Sequence, residues 1–294
     1  MAQEPSDIAR SAVMESNVRF EHVAQDGRPK IDALLLAIEE SGWGGLLRHL
    51  KFPIGLRKHG LYPILAKIHA KSTDASIRAR GTLSSVSNVE LGYTPDKGQG
   101  RRELMRIHTD VRGTSGRTHG AKPEDEGQAV EIGQLTTEYV WTKLFAEPGQ
   151  RRVHTLPETD FEGVPRGPLQ WSAPESLLQL AADEQALESE LSPDSAVTRV
   201  GLTHTDANHH VNSFVYPRLF EEAALRRLAG LGRATPDLLV REAHFAFQRP
   251  GLVGMELQVR ARAFERDGRL GVVCVMENRL EEKPLPRVVG RLIF

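Results

Sequence analysis

The sequence predicts an α+β fold of two tandem units, each an antiparallel sheet wrapped around one long helix. Two observations carry this expectation. An extended segment, a helix and then several alternating, β-branched segments follow one another in residues 18–157 and again in residues 194–294. Between them, 158–193 holds several prolines and then a stretch dense in Ala, Leu and Glu, which reads as a linker with a surface helix over 177–191. A sheet and a helix each have one apolar side and bury it against the other, so each repeat of the pattern closes into a unit.

The elements follow in order. Residues 1–17, MAQEPSDIARSAVMESN, are polar and are expected to be flexible. Residues 19–25 read as a short strand, ended by the turn pair Asp26-Gly27. Ile31, Leu34, Leu35, Ile38, Leu46, Leu47 and Leu50 recur at three- and four-residue steps, which is the period of a helix; Gly42, Gly44 and Gly45 mark a break in it. Extended runs follow at 63–70, 77–91, 102–112, 130–145 and 151–156, separated by glycine-rich polar loops. In the second unit an extended 197–212 leads into a helix from about 213 to 229, then strands near 238–247, 255–265, 270–280 and 287–294. The pair Asp267-Gly268 marks a hairpin turn.

Composition narrows the function. The 294 residues carry 38 Lys+Arg against 39 Asp+Glu, a net charge of -1, which disfavours nucleic acid or an anionic membrane surface as the main partner. The single cysteine, Cys274, excludes an intramolecular disulfide and a cysteine-rich zinc site. It stands in GVVCVM and reads as a buried strand residue, not a nucleophile. No run reaches the roughly 18 apolar residues of a membrane span, and 1–17 has no apolar core of signal-peptide length, so a cytoplasmic protein is expected.

The segment richest in chemistry is TRVGLTHTDANHHVNSFVYPRLFEEAALRRLAG, 198–230. Asp206, Asn208, His210 and Asn212 stand two residues apart, so on extended backbone they share one face and bring carboxylate, amide and imidazole together. Tyr216, Leu219, Phe220, Ala223, Ala224 and Leu228 then form the apolar stripe of a helix that Asn212 or Ser213 can cap. The N–H groups at such a helix start have no intrahelical partner and lie at the positive end of its dipole, where a developing oxyanion is stabilised. His204 and His209 add imidazoles without a second cluster of ligands, so no metal is expected.

DANHHVN followed by SFVYPRLFEEA resembles the Asp-x-Asn-x-His-Val-Asn segment and helix of hotdog-fold thioesterases, most of all the acyl-ACP thioesterase family, which is a tandem double hotdog. The stretch YVWTKLFAEPGQRRVHTLP, 139–157, is similar to the last strands of that family's first unit. The resemblance implies catalytic roles for Asp206, Asn208 and His210, with Asn212 and Ser213 in the oxyanion region. It also implies a catalytic acid in the segment matching roughly 244–254, HFAFQRPGLVG, where no Asp or Glu occurs; Gln248 is the nearest polar candidate, and Glu242 and Glu256 flank the segment.

What the resemblance implies is hydrolysis of fatty acyl-ACP or acyl-CoA thioesters in lipid metabolism and fatty acid biosynthesis, without a cofactor. A hotdog hydratase or dehydratase is the nearest alternative, but its pattern spaces Asp and His by five residues and carries Pro before His, whereas Asp206 and His210 are four apart with His209 between. A non-catalytic acyl-thioester-binding protein is the other reading, supported by the missing acid. Association of two chains as a homodimer stays open, because a tandem pair can satisfy internally what single hotdogs obtain by dimerising.

Overall fold

The computed structural model describes residues 11–95, 101–117, 119, 121–159, 161, 163–235 and 238–294. The chain divides into two compact units, 1–171 and 172–294.

In the first unit the long predicted helix forms as α1, Ile31–Ala37, which runs directly into a π-helical stretch, Ile38–Leu47. The break expected at the glycines is thus a widening of the helix, not an end. Gly42, Gly44 and Gly45 weaken helical preference there, and Ser41 Oγ donates back to the Ala37 carbonyl at 3.2 Å, a bond that loosens the regular ladder. A short helix α2, Phe52–Lys58, follows.

The sheet consists of β1 (Ser11–Asn17), β2 (Leu61–Ser72), β3 (Thr82–Tyr93), β4 (Glu103–Thr114) and β5 (Ala129–Lys143), antiparallel in the order β1-β3-β4-β5-β2. Along β4 and β5 the side chains alternate as a one-sided sheet requires: Met105, Ile107, Leu135, Tyr139 and Trp141 are buried, while Arg106, His108 and Glu138 face out. Leu46, Leu47, Leu50, Phe52 and Leu56 meet that inner face and complete the core. On the outer face one row of alternating charge crosses four strands: Lys67 to Glu138 at 3.5 Å, Glu138 to Arg106 at 2.7 Å, Arg106 to Glu90 at 3.0 Å.

Three expectations change here. Of the segment expected to be flexible, 1–10 lies outside the described residues, but 11–17 is β1, paired antiparallel with β3 from Ser11↔Asn88 to Asn17↔Thr82. A polar strand forms because the neighbouring edge supplies its backbone partners. Residues 19–25 are a 3-10 turn, Phe20–His22, not a strand; Val23 makes only an isolated bridge to Pro29 around the Asp26-Gly27 turn, with Gly27 at φ 92°. Residues beyond 157 also serve this unit: Val164 is in its core, Phe161 packs on it, and β6 (Arg166–Pro168) pairs parallel with the end of β3.

In the second unit β7 (Gln185–Ala186), β8 (Ser192–Arg199), β9 (Glu242–Phe247), β10 (Glu256–Arg266), β11 (Arg269–Asn278) and β12 (Val288–Ile293) are all antiparallel. Their order is β9-β12-β11-β10, with β7 and β8 on the free edge of β10. The β10–β11 hairpin turns at Asp267 (φ 50°) and Gly268 (φ 73°), the two left-handed residues that its sequence predicted. Helix α3, Val215–Gly230, lies on this sheet. Tyr216, Phe220, Ala223, Ala224 and Leu228 are buried as the stripe required, and Phe220 stacks on Phe245 with ring centroids 5.9 Å apart. Gly290 allows this, since a Cβ there would come within 3.1 Å of the Phe220 ring. Cys274 is fully buried in β11, and burial pushes its thiol pKa well up, as suits a structural residue.

The surface helix expected over 177–191 is absent. A 3-10 turn, Pro174–Leu178, and β7 stand in its place. Composition favours a helix there, but the sheet takes the carbonyls a helix would use: Arg291 donates to Leu177 O (3.2 Å) and Gln179 O (3.0 Å), Arg262 to Leu178 O and Arg260 to Leu191 O, both 3.1 Å. Leu178, Leu180 and Leu191 pack on Phe264, Val273 and Ile293, and Glu184 is ion-paired to Arg291 and Arg266. Tertiary contacts override propensity. No helix among the described residues is long and apolar enough to cross a membrane.

Candidate active site

After β8 the chain passes through a 3-10 turn, Leu202–His204, in which His204 Nδ1 accepts the Gly201 N–H at 3.0 Å. The segment beyond it is not extended. Thr205 and Val211 form an antiparallel bridge, the Asp206 N–H donates to the His210 carbonyl at 3.0 Å, and the His209 N–H donates to the Asp206 carbonyl at 3.0 Å. His209 is left-handed, at φ 62°. Together these define a hairpin whose three-residue loop, Ala207 to His209, is a type I turn closed by a left-handed residue.

The single-face reading of Asp206, Asn208, His210 and Asn212 is therefore corrected. Asp206 and His210 still share a side, as directly opposed residues of the hairpin, whereas Asn208 occupies its tip. The cause is local. Asp206 Oδ1 accepts the Asn208 N–H at 2.8 Å, a side-chain turn that competes successfully with extended backbone. Asn208 thus orients the carboxylate through its backbone, not its amide. Asp206 is half-buried, while Asn208, His209 and His210 are exposed.

Asn212 connects the hairpin to α3. Its N–H donates to the His204 carbonyl (2.9 Å), its Oδ1 accepts the Phe214 N–H (2.8 Å) and its carbonyl accepts the Val215 N–H (3.0 Å). Neither Asn212 nor Ser213 stands at the cap position, which is Phe214 without a side-chain cap; Asn212 instead makes a turn just before the helix and occupies donors that the sequence left open for an oxyanion. Pro217, in the first turn, has none to offer. Ser213 is different: half-buried just before the helix, it makes no hydrogen bond with any described residue, so its N–H and hydroxyl are available.

The loop after β9 closes on the hairpin. The Val211 N–H donates to the Gly251 carbonyl at 2.9 Å, and His210 bridges Leu252. On its other side the loop is anchored by Arg287, whose carbonyl accepts the Gln248 and Arg249 N–H groups (2.9 and 3.2 Å) and whose Nη1 donates to Pro250 O (3.3 Å). Gln248 itself is turned to Glu175, with Nε2 to Oε1 at 3.2 Å, and makes no hydrogen bond to Asp206, Asn208 or His210. Its loop joins the site; its amide does not.

Two residues absent from the sequence-based set stand at this junction. The Tyr216 hydroxyl accepts the Gly251 N–H at 2.9 Å inside the protein. Burial pushes the Tyr216 pKa above its ordinary 10.0; the Gly251 N–H and the Arg287 charge pull against this, and the Asp206 charge adds to it. Tyr216 carried only the signal of an apolar stripe. Gly251 carried a better one, a glycine directly after proline in a segment already singled out.

No protein-family model and no curated protein sequence matches the chain. Solved structures do. An acyl-ACP thioesterase from Bacteroides thetaiotaomicron superposes with a TM-score of 0.62 at 13% identity, over 99% of this chain and 100% of that one. A Lactobacillus plantarum protein assigned as an oleoyl thioesterase gives 0.59 at 11% identity, over 96% and 94%. The 12:0-ACP thioesterase from Umbellularia californica gives 0.55 at 12% identity, over 96% and 93%. At such identities the likeness is one of fold: the chain has the tandem hotdog fold that its sequence predicted, shared with these acyl-ACP thioesterase structures.

Proposed function

We propose that the protein hydrolyses acyl thioesters of acyl carrier protein or coenzyme A, giving free acid and thiol. The observation that carries this reading is the Asp206–His210 hairpin, which sets a carboxylate opposite an imidazole beside the start of α3. The shared fold supports it. With Oδ1 held by the Asn208 N–H, Asp206 keeps Oδ2 for a water molecule. It accepts a proton as that water adds to the thioester carbon. The oxyanion so formed is held by the Ser213 N–H; the proton that Asp206 took from water passes to His210, and collapse breaks the C–S bond as His210 delivers that proton to the leaving sulfur, which restores both side chains. The chemistry implies no cofactor and no metal.

The test is free-thiol release from a panel of short, aromatic, medium and long acyl-CoA and acyl-ACP substrates. Turnover on one carrier and not the other names the partner. One observation favours a second reading: 244–254 holds no Asp or Glu, and Gln248 is engaged by Glu175. Binding of these thioesters without thiol release selects that reading, a thioester-binding protein, and rejects the hydrolase.

A further inference from the structure

Tyr216 ties the hairpin and the start of α3 to the loop after β9, 35 residues further along the chain. It is the second residue of α3, and its ring is held edge-on by Phe247, the last residue of β9, with centroids 5.8 Å apart. Its hydroxyl accepts the N–H of Gly251 (2.9 Å), and the carbonyl of the same Gly251 accepts the N–H of Val211 (2.9 Å), the bridge partner of Thr205 at the base of the hairpin. The line from phenol to hairpin is therefore one residue long.

Gly251 gives a second, independent sign that this contact is built. Its φ is not in the left-handed region, so conformational freedom does not explain a glycine there. Space does. A Cβ at 251 would stand 2.8 Å from the Tyr216 hydroxyl oxygen and 2.9 Å from Val211 Cγ2, closer than such contacts occur. The glycine is what lets the loop backbone approach both the phenol and the hairpin.

We propose that Tyr216 is a positioning residue for the site. By holding the Gly251 N–H, its phenol oxygen fixes where the 250–252 loop meets Val211 and His210, and hence where Asp206 and His210 stand relative to the start of α3. The proposal rests on the reading of that hairpin as the catalytic element. A misplacement of about 1 Å can cost roughly a hundredfold in rate, so a single hydrogen bond at this junction has leverage over kcat while leaving substrate affinity alone.

The experiment compares wild type, Tyr216→Phe, Gly251→Ala and a protein carrying 3-fluorotyrosine at 216, by steady-state thiol release and by amide hydrogen exchange. Tyr216→Phe is expected to lower kcat roughly ten- to a hundredfold with KM unchanged. Exchange should quicken in 205–212 and 249–253 but not in the core of α3. Gly251→Ala should reproduce both effects. Fluorination weakens the phenol oxygen as an acceptor while nearly preserving its shape, so an intermediate kcat and exchange rate are expected, which a space-filling ring would not produce. The fluorinated protein decides the matter if Tyr216→Phe fails to fold. Unchanged exchange in both segments, or kcat within twofold of wild type in an active enzyme, overturns the proposal. A wild type without thioesterase activity refutes the functional reading instead, and the exchange arm still tests the junction.

Discussion

Asp206→Asn separates the chemical role of this carboxylate from its structural one. The Asp206 Oδ1 accepts the Asn208 N–H at 2.8 Å, and an asparagine carbonyl oxygen can accept the same bond, so the hairpin is preserved. Stability should change by less than about 1 kcal/mol, the scale of one neutral hydrogen bond exchanged for a charged one at a half-exposed site. The negative charge and the proton-accepting oxygen are lost altogether. General base catalysis is worth about 10²–10⁴-fold, or roughly 2.7–5.4 kcal/mol of barrier, and kcat should fall by that amount. Asp206→Ala should lose as much activity and, because the turn bond goes too, about 1 kcal/mol more stability. Thiol release measured beside urea unfolding reports both quantities. An Asp206→Asn enzyme retaining more than a tenth of wild-type kcat would show that this carboxylate is not the base. A large loss of stability without a matching kinetic defect in the remaining folded protein would make Asp206 a turn residue only.

Other perturbations test other parts of the structure. His209 is held at φ 62°, where glycine is unstrained, so His209→Gly should gain about 0.5–1 kcal/mol in urea unfolding with thiol release intact, whereas His209→Val should lose about 1–2 kcal/mol; the opposite order would refute the hairpin geometry. Phe220→Ala removes a fully buried ring stacked on Phe245 and should cost about 3–5 kcal/mol; a loss under about 1.5 kcal/mol would mean that α3 does not seat on its sheet as described. Burial of Glu184 opposes its ionisation, but the hydrogen bond from Arg291, the Ala181 N–H and the charges of Arg291 and Arg266 outweigh it, leaving the carboxyl below its ordinary 4.5. A lowered acid stabilises the fold at pH above the unfolded value and loses that contribution as pH falls through the folded one. Glu184→Gln should therefore cost about 1.5–3 kcal/mol near neutrality, and its deficit should shrink below about pH 4.5; a deficit independent of pH would show that the ion pair with Arg291 contributes nothing.

The parts of the fold legible in the sequence are those written in periods of hydrophobicity and in turn chemistry. Alternation along 102–112 and 130–145 gave the strands β4 and β5, and the stripe from Tyr216 to Leu228 gave the second unit its helix. Asp267-Gly268 announced its hairpin because few residues tolerate two successive positive φ angles. What escaped was settled by partners far along the chain. Nothing in 177–191 reveals that Arg260, Arg262 and Arg291 will claim its backbone carbonyls, and nothing in 11–17 reveals the open edge of β3. A local rule failed as well: counting every second residue from Asp206 assumes extended backbone, whereas Asp and Asn are the residues that bend it.

That failure bears on how the site is composed. Within DANHHVN, Asp206 and His210 are paired across a hairpin, through a turn rather than through strand parity. What the turn faces is decided outside the segment, by Gly251 and by the hydroxyl of Tyr216. A helical stripe scores tyrosine for its ring and ignores its oxygen, though the ring alone would bury equally well as phenylalanine. A buried tyrosine at the first turn of a helix, next to a polar cluster, therefore signals where its oxygen is needed, and here a glycine two elements away has made room for it. Asp206 and His210 supply the chemistry proposed for this protein; the geometry in which they act is held by a pair that no motif of charged residues contains.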